Sequence, residues 1–191
     1  MLAVTVVVLA AGVSRRMGRQ KLLLPIDGVA IVTRVVAACE AWPTVVVVSD
    51  ATVAQALARA GARIVHNAAP ERGMNHSLAL ADAVIRRDEA IAVMLGDLPD
   101  SSAISIARVI NAYEETIDVV SPEAGGRQGH PVVFGPRARA RIAGLADGDA
   151  LRSLRDDPAL VKRIVSGIDE RTFIDIDTPA DYAARIGRAR S

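Results

Sequence analysis

Cysteine is nearly absent: Cys39 stands alone, so no disulfide can close within the chain and no Cys/His zinc spacing exists. Aromatic side chains are scarce, with one Trp, two Tyr and two Phe, too few to stack a strand of nucleic acid. A strongly charged face is missing as well, since the formal net charge is +1; nucleic-acid partners are therefore not expected. No apolar run approaches the roughly 20 residues of a membrane span. The opening apolar run ends in Leu9-Ala10-Ala11-Gly12, which resembles a cleavable leader, but no basic residue precedes it and the charged segment follows it instead. It reads as a first buried strand, and a cytoplasmic protein without a membrane partner is expected.

What the chain does have is aliphatic bulk. Hydrophobic residues make up 51% of its 191 residues, mostly Val and Ala, the make-up of a parallel sheet covered by helices on both faces. Continuous β-branched runs predict buried strands over residues 4–9, 45–48 and 91–95. Shorter strands are expected over 63–65, 118–121, 131–134, 160–165 and 171–176. Helices are expected over 29–41, 52–60 with Gly61 at C′, 75–87 capped by Asn75 or Ser77, and 103–115 capped by Ser101 or Ser102. Further helices are expected over 136–143, 149–155 and 179–188, the last with Thr178 as N-cap and Pro179 at N1, ahead of a basic tail over 185–191. With no repeat, linker or low-complexity segment, this reads as one domain over 1–191. The β-α alternation predicts an α/β three-layer sandwich with a mostly parallel, Rossmann-like sheet. Such folds bind ligands beyond the carboxyl ends of the strands.

That edge receives the most informative stretch, Gly12-Val13-Ser14-Arg15-Arg16-Met17-Gly18-Arg19-Gln20-Lys21. A buried strand opening onto a glycine-containing basic loop offers backbone N–H groups and positive charge to phosphate. It is not a P-loop, because Arg19 rather than Lys follows Gly18, and not a dinucleotide fingerprint, because Ser14 and Met17 stand where glycines are needed. The pattern Leu9-Ala10-Ala11-Gly12-x-Ser14-x-Arg16-Met17-Gly18-x-x-Lys21 resembles the opening motif of nucleotidyltransferases. Four further segments extend the resemblance: Gly73-Met74-Asn75-His76-Ser77-Leu78, Gly96-Asp97-Leu98-Pro99, Gly129-His130-Pro131-Val132-Val133-Phe134 and Asp175-Ile176-Asp177-Thr178-Pro179. Together they are similar to the molybdenum cofactor cytidylyltransferases and the related molybdopterin-guanine dinucleotide synthases.

The resemblance implies a nucleotide-diphospho-sugar transferase (GT-A-like) fold and an enzyme that moves CMP from CTP to the phosphate of a molybdopterin-type cofactor, with Mg²⁺. An acceptor phosphate oxygen attacks the α-phosphorus and pyrophosphate leaves in line. The protein positions and neutralises two anions rather than supplying a nucleophile. By the same resemblance Leu9, Ala10, Ala11, Gly12, Ser14, Gly73 and Ser77 lie around the nucleotide. Arg16 takes the β- and γ-phosphates, and Lys21 lies between α-phosphate and acceptor. Asp97 holds the metal with Asp177, and Asp175 joins them because side chains two apart on a strand share a face. His130 and Pro131 face the acceptor.

Alternative roles are set beside these. Arg15 and Arg19 read as solvated surface, Ser77 as a first-turn residue, His66 and His76 as structural, and Gly125-Gly126 as a plain turn. Ala11 favours CTP, since guanylyl-transferring members tend to carry glycine there, while Leu98 and Asn75-His76 depart from the usual pattern. A GTP-using or other small-phosphate nucleotidyltransferase is the nearest alternative. A non-catalytic module delivering cofactor to a molybdoenzyme or its chaperone is the other, and it has no need for the retained set Arg16, Lys21, Asp97 and Asp177.

Overall fold

The computed structural model of the chain describes residues 3–145 and 151–188. Among the described residues the strands are β1 (Val4–Ala10), β2 (Pro25–Ile26), β3 (Val29–Ala30), β4 (Thr44–Val48), β5 (Arg63–His66), β6 (Ala90–Leu95), β7 (Val119–Ala124), β8 (Arg127–Gln128), β9 (Val132–Phe134) and β10 (Lys162–Val165). The helices are α1 (Ile31–Ala38), α2 (Ala51–Ala56), α3 (Met74–Asp82), α4 (Ala103–Ile110), α5 (Pro136–Arg139), α6 (Leu151–Asp156) and α7 (Pro179–Arg188).

The main sheet runs β10-β7-β9-β6-β1-β4-β5, with β8 paired to β7. β1 pairs in parallel with β4 and β6, and β4 with β5. β9 runs against its neighbours β6 and β7, and β8 against β7, so β7 and β10 point the same way as β1. Valines dominate the central strands because both faces are covered. Val4, Val6, Val8 and Ala10 enter one core with Val32 and Val35 of α1 and Ile106 and Val109 of α4. Val7, Val45 and Val47 enter the other with Leu78 of α3, Ala138 of α5 and Leu154 of α6. The period-two alternation thus divides each strand between two cores and yields three layers. Among the described residues no helix is long and apolar enough to cross a membrane.

Several expected elements differ. The span 171–176 does not join the sheet: Glu170–Phe173 is a 3-10 turn capped by Asp169, whose side chain accepts from Arg171 N at 2.9 Å. Local capping wins there over β-propensity. α3 starts from Gly73 with no side-chain cap, so neither Asn75 nor Ser77 plays that part. α2 ends at Ala56, leaving Gly61 beyond its C′ position with φ +67°, and α1, α3 and α4 are all shorter than their periodicity suggests. Ser102 does cap α4, accepting from Ser105 N at 3.1 Å. Thr178 and Asp181 bond reciprocally at the start of α7, Thr178 N donating to Asp181 and Asp181 N to Thr178. Of the expected helix 149–155 and the basic tail, residues 149–150 and 189–191 lie outside the described residues.

Candidate functional site

The carboxyl ends of β1 and β6 meet at a close seam. A Cβ on Gly96 would sit 3.1 Å from Ala10 Cβ and 3.2 Å from the Leu9 carbonyl oxygen, so glycine lets β6 turn into Asp97 close against β1 without displacing either. Beyond this seam opens a cleft of about 450 Å³.

The loop after β1 is folded back by its own polar groups. Ser14 adopts φ +50° and Gly18 φ +66°. Ser14 Oγ donates to Gln20 Oε1 at 3.0 Å and accepts from Lys21 N at 3.2 Å, and Gln20 Nε2 donates to Asp50 at 3.3 Å. Met17 packs with Leu24, Ile26, Ile31 and Ile176 in a small third core. The result aims Lys21 into the cleft with its stem buried. The same core holds the segment carrying Asp175 and Asp177: Ile176 N donates to the Asp97 carbonyl at 3.2 Å. Arg185 of α7 grips Asp100 through three contacts of 2.6–2.9 Å, fixing α7 to the loop after β6.

Lys21 Nζ lies 2.6 Å from Asp97 Oδ2 and 2.6 Å from Asp177 Oδ1, while Arg16 reaches Asp177 Oδ2 at 2.5 Å. Burial alone would lower the Lys21 ammonium; the Asp97 and Asp177 carboxylates outweigh it and hold it above an ordinary lysine. The hydrogen bond from Lys21 holds Asp177 below the usual carboxylate range. Asp175 goes the other way, raised first by burial and then by its two acidic neighbours.

One oxygen each from Asp97, Asp175 and Asp177 lies within 4.8 Å of the others. Asp97 Oδ1 is buried with no hydrogen-bond partner. An all-oxygen set with an unsatisfied buried acceptor fits a hard divalent cation.

Leu9, Ala10, Ala11, Gly12, Ser14, Arg16, Lys21, Gly73, Ser77, Asp97 and Asp177 all line the cleft. Asp175 joins through the carboxylate cluster alone, and from an irregular segment rather than a strand face. Ser14 and Ser77 are both engaged within the protein: Ser14 braces the loop, and Ser77 Oγ accepts from Asn67 Nδ2 at 2.9 Å. His130 and Pro131 are not on the cleft wall. His130 Nδ1 is 3.0 Å from the Val93 carbonyl, which places the proton on that nitrogen, and burial lowers its pKa. Arg15, read from the sequence as solvated, lines the cleft, as do Pro70, Glu71 and Met74, which the sequence reading passed over. Arg19 instead lies over the Tyr182 ring at 6.0 Å.

Comparison with known proteins gives this geometry a family. Residues 6–163 match the model of the MobA-like NTP transferase domain. Nicotine blue oxidoreductase of Paenarthrobacter nicotinovorans is 34% identical over 92% of each chain. The crystal structure of Rv0371c from Mycobacterium tuberculosis H37Rv superposes with a TM-score of 0.81 at 26% identity, covering 97% of this chain and 98% of that one. The same protein has also been solved as a manganese complex. Molybdopterin-guanine dinucleotide biosynthesis protein A of Archaeoglobus fulgidus shares the fold, with a TM-score of 0.74 at 17% identity over 97% of this chain and 98% of that one. The chain belongs to the MobA-like NTP transferase family and is a nucleotidyltransferase.

Proposed function

We propose that this chain, acting as one domain, transfers CMP from CTP to the phosphate of a molybdopterin-type cofactor with Mg²⁺ and releases pyrophosphate. The observation that carries the reading is the Lys21 ammonium held at 2.6 Å from both Asp97 and Asp177 in a nucleotide-sized cleft. Bringing two phosphate-bearing molecules together demands such a cluster of cations and carboxylates.

Asp97 and Asp177, with Asp175 beside them, would hold the metal, which would supply charge neutralisation of the triphosphate and Lewis acidity there. Arg16, on an exposed stem, takes the β- and γ-phosphates. Lys21 orients the α-phosphate and stabilises the charge that builds on it as the acceptor oxygen–phosphorus bond forms and the bond to the departing pyrophosphate breaks. Ala10, Ala11 and Gly12 lie against base and ribose with Gly73 and Ser77. Gly12 has open space where a Cβ would stand, which leaves its backbone approachable. The methyl of Ala11 limits the room for a purine and favours CTP. His130 and Pro131 carry the acceptor side indirectly, by shaping the edge beside Asp97.

A second reading follows from the relative named nicotine blue oxidoreductase: the cleft would hold the pyrophosphate of a reduced dinucleotide and the chain would reduce a dye-like substrate. One experiment separates the two. Pyrophosphate release is measured with CTP, GTP, ATP and UTP, with and without Mg²⁺ and molybdopterin; NADH and NADPH oxidation is followed in parallel. Release that requires CTP, metal and acceptor supports transfer. Nucleotide-dependent release with another acceptor or with GTP revises the substrate, and dinucleotide oxidation without pyrophosphate release replaces the reading.

A further inference from the structure

Two stretches of the cleft wall come from different parts of the sheet edge. One holds Arg16, Lys21, Asp97 and Asp177. The other is built from the turn Pro70–Arg72 and the start of α3, where Glu71 and Met74 line the wall. That turn follows β5, the edge strand two places from β1, on the side away from β6 and Asp97. Glu71 is exposed and makes no hydrogen bond or ion pair among the described residues.

An unpaired carboxylate facing a cleft for a polyanion is out of place beside phosphates. It can only accept hydrogen bonds, and its charge repels the triphosphate. On that second stretch of wall it meets the base, and there it needs an N–H donor. Cytosine presents an amino group on its outer edge; uracil presents a carbonyl oxygen at the same position, which a carboxylate repels. Met74, 44% exposed, supplies an apolar surface next to it for the ring.

We propose that Glu71 reads the exocyclic amino group of the nucleobase and sets the preference for CTP over UTP. Ala11 limits base size, so the two residues together select cytosine from the four bases: the methyl disfavours purines and the carboxylate disfavours uracil. This rests on the cleft being a nucleotide site.

Calorimetric titration of the full chain in Mg²⁺ with CTP, UTP and the triphosphate of 2-pyrimidinone riboside, a cytidine analogue lacking the amine, tests it. A hydrogen bond to a charged group predicts that the wild type binds CTP about 10- to 100-fold more tightly than either of the others. Glu71→Gln brings CTP and UTP to within about threefold, because an amide both accepts from an amine and donates to a carbonyl. Glu71→Ala removes the difference between CTP and the analogue. Both variants should keep the wild-type melting temperature, since the side chain is exposed and has no partner among the described residues. An unchanged CTP/UTP ratio in Glu71→Gln, or no preference in the wild type, overturns the role of Glu71 while leaving the nucleotide cleft standing. Failure of the wild type to bind any triphosphate overturns the cleft reading itself.

Discussion

Replacing Lys21 by methionine removes one charge from the cleft wall and keeps the buried stem. The residue is 9% exposed, and its ammonium is the common partner of Asp97 and Asp177 at 2.6 Å each. Without it, carboxylate oxygens of Asp97, Asp175 and Asp177 within 4.8 Å of one another face no buried cation. Each pair then repels by about 3 kcal/mol at an effective dielectric of about 20. The Asp97 and Asp177 side chains keep 20% and 27% of their surface in water, which relieves much of this. The expected loss of stability is about 2 kcal/mol, below the 3–5 kcal/mol typical of a fully buried broken pair. The loss spans a wide pH window. Lys21 is raised, so its contribution is complete below the unfolded lysine value and fades only as pH climbs through the folded one. Asp177 is lowered, so its contribution is complete above the unfolded carboxylate value and fades as pH falls through the folded one. The repulsion that destabilises the variant is what a divalent cation relieves. Nucleotide-free Lys21→Met should therefore bind Mn²⁺ at least about tenfold more tightly than the wild type, or about 1.4 kcal/mol, read by electron paramagnetic resonance of free Mn²⁺. Added Mn²⁺ should restore part of the lost melting temperature in proportion to occupancy, while nucleotidyl transfer falls about 10²- to 10³-fold. Equal Mn²⁺ affinity in the two nucleotide-free proteins, with equal melting temperatures, refutes the assignment of this cluster as a shared seat for ammonium and metal.

Asp97→Asn should leave the unfolding free energy within about 1–2 kcal/mol of wild type while reducing transfer by about 10³-fold; near-wild-type turnover removes Asp97 from the chemistry. Gly96→Ala should cost about 1–3 kcal/mol, because its new methyl meets Ala10 Cβ at 3.1 Å and the Leu9 carbonyl at 3.2 Å across the β1–β6 seam; an unchanged thermal midpoint contradicts it. His130 has a lowered pKa from burial, so the unfolded chain binds the proton more readily and stability falls as pH drops below about 6.5. His130→Asn should flatten that fall between pH 7.5 and 5.5 in urea unfolding, and a variant as acid-sensitive as wild type argues against it.

The sheet was legible because its physics is local. Runs such as 4–9 and 91–95 are apolar on both faces, and only a covered parallel sheet buries both. The position of the cation-bearing loop beyond β1 and of Asp97 beyond β6 follows from the same runs. Boundaries were less legible. The span 171–176 reads as a strand by composition, yet Asp169 and Thr172 turn it through side-chain and backbone bonds that no periodicity records. Asp175 and Asp177 do reach one site, but through Ile176, whose side chain enters the small core while its amide bonds to Asp97. Glu71 and Arg15 were illegible as cleft residues for a different reason. Nothing in their immediate neighbours marks a site; only the turn between β5 and α3 and the curl of the loop after β1 bring them to the cleft.

The charges of the cluster argue for an exchange of partners on substrate binding. Two cations, Arg16 and Lys21, stand against three carboxylates, so a triphosphate approaching the cluster alone meets net negative charge. A divalent cation held by the three carboxylates would reverse that sign and leave the cations free for the phosphates. The carboxylates sit on short side chains fixed from behind, Asp97 by the glycine seam and the bond from Ile176, Asp177 by the Thr178–Asp181 cap. The cations sit on long ones, and the Arg16 side chain is 70% exposed. On the proposed reading the exposed Arg16 is the group free to follow a departing pyrophosphate, while Lys21, its stem buried, stays at the α-phosphate and the short carboxylates keep the fixed positions suited to a metal.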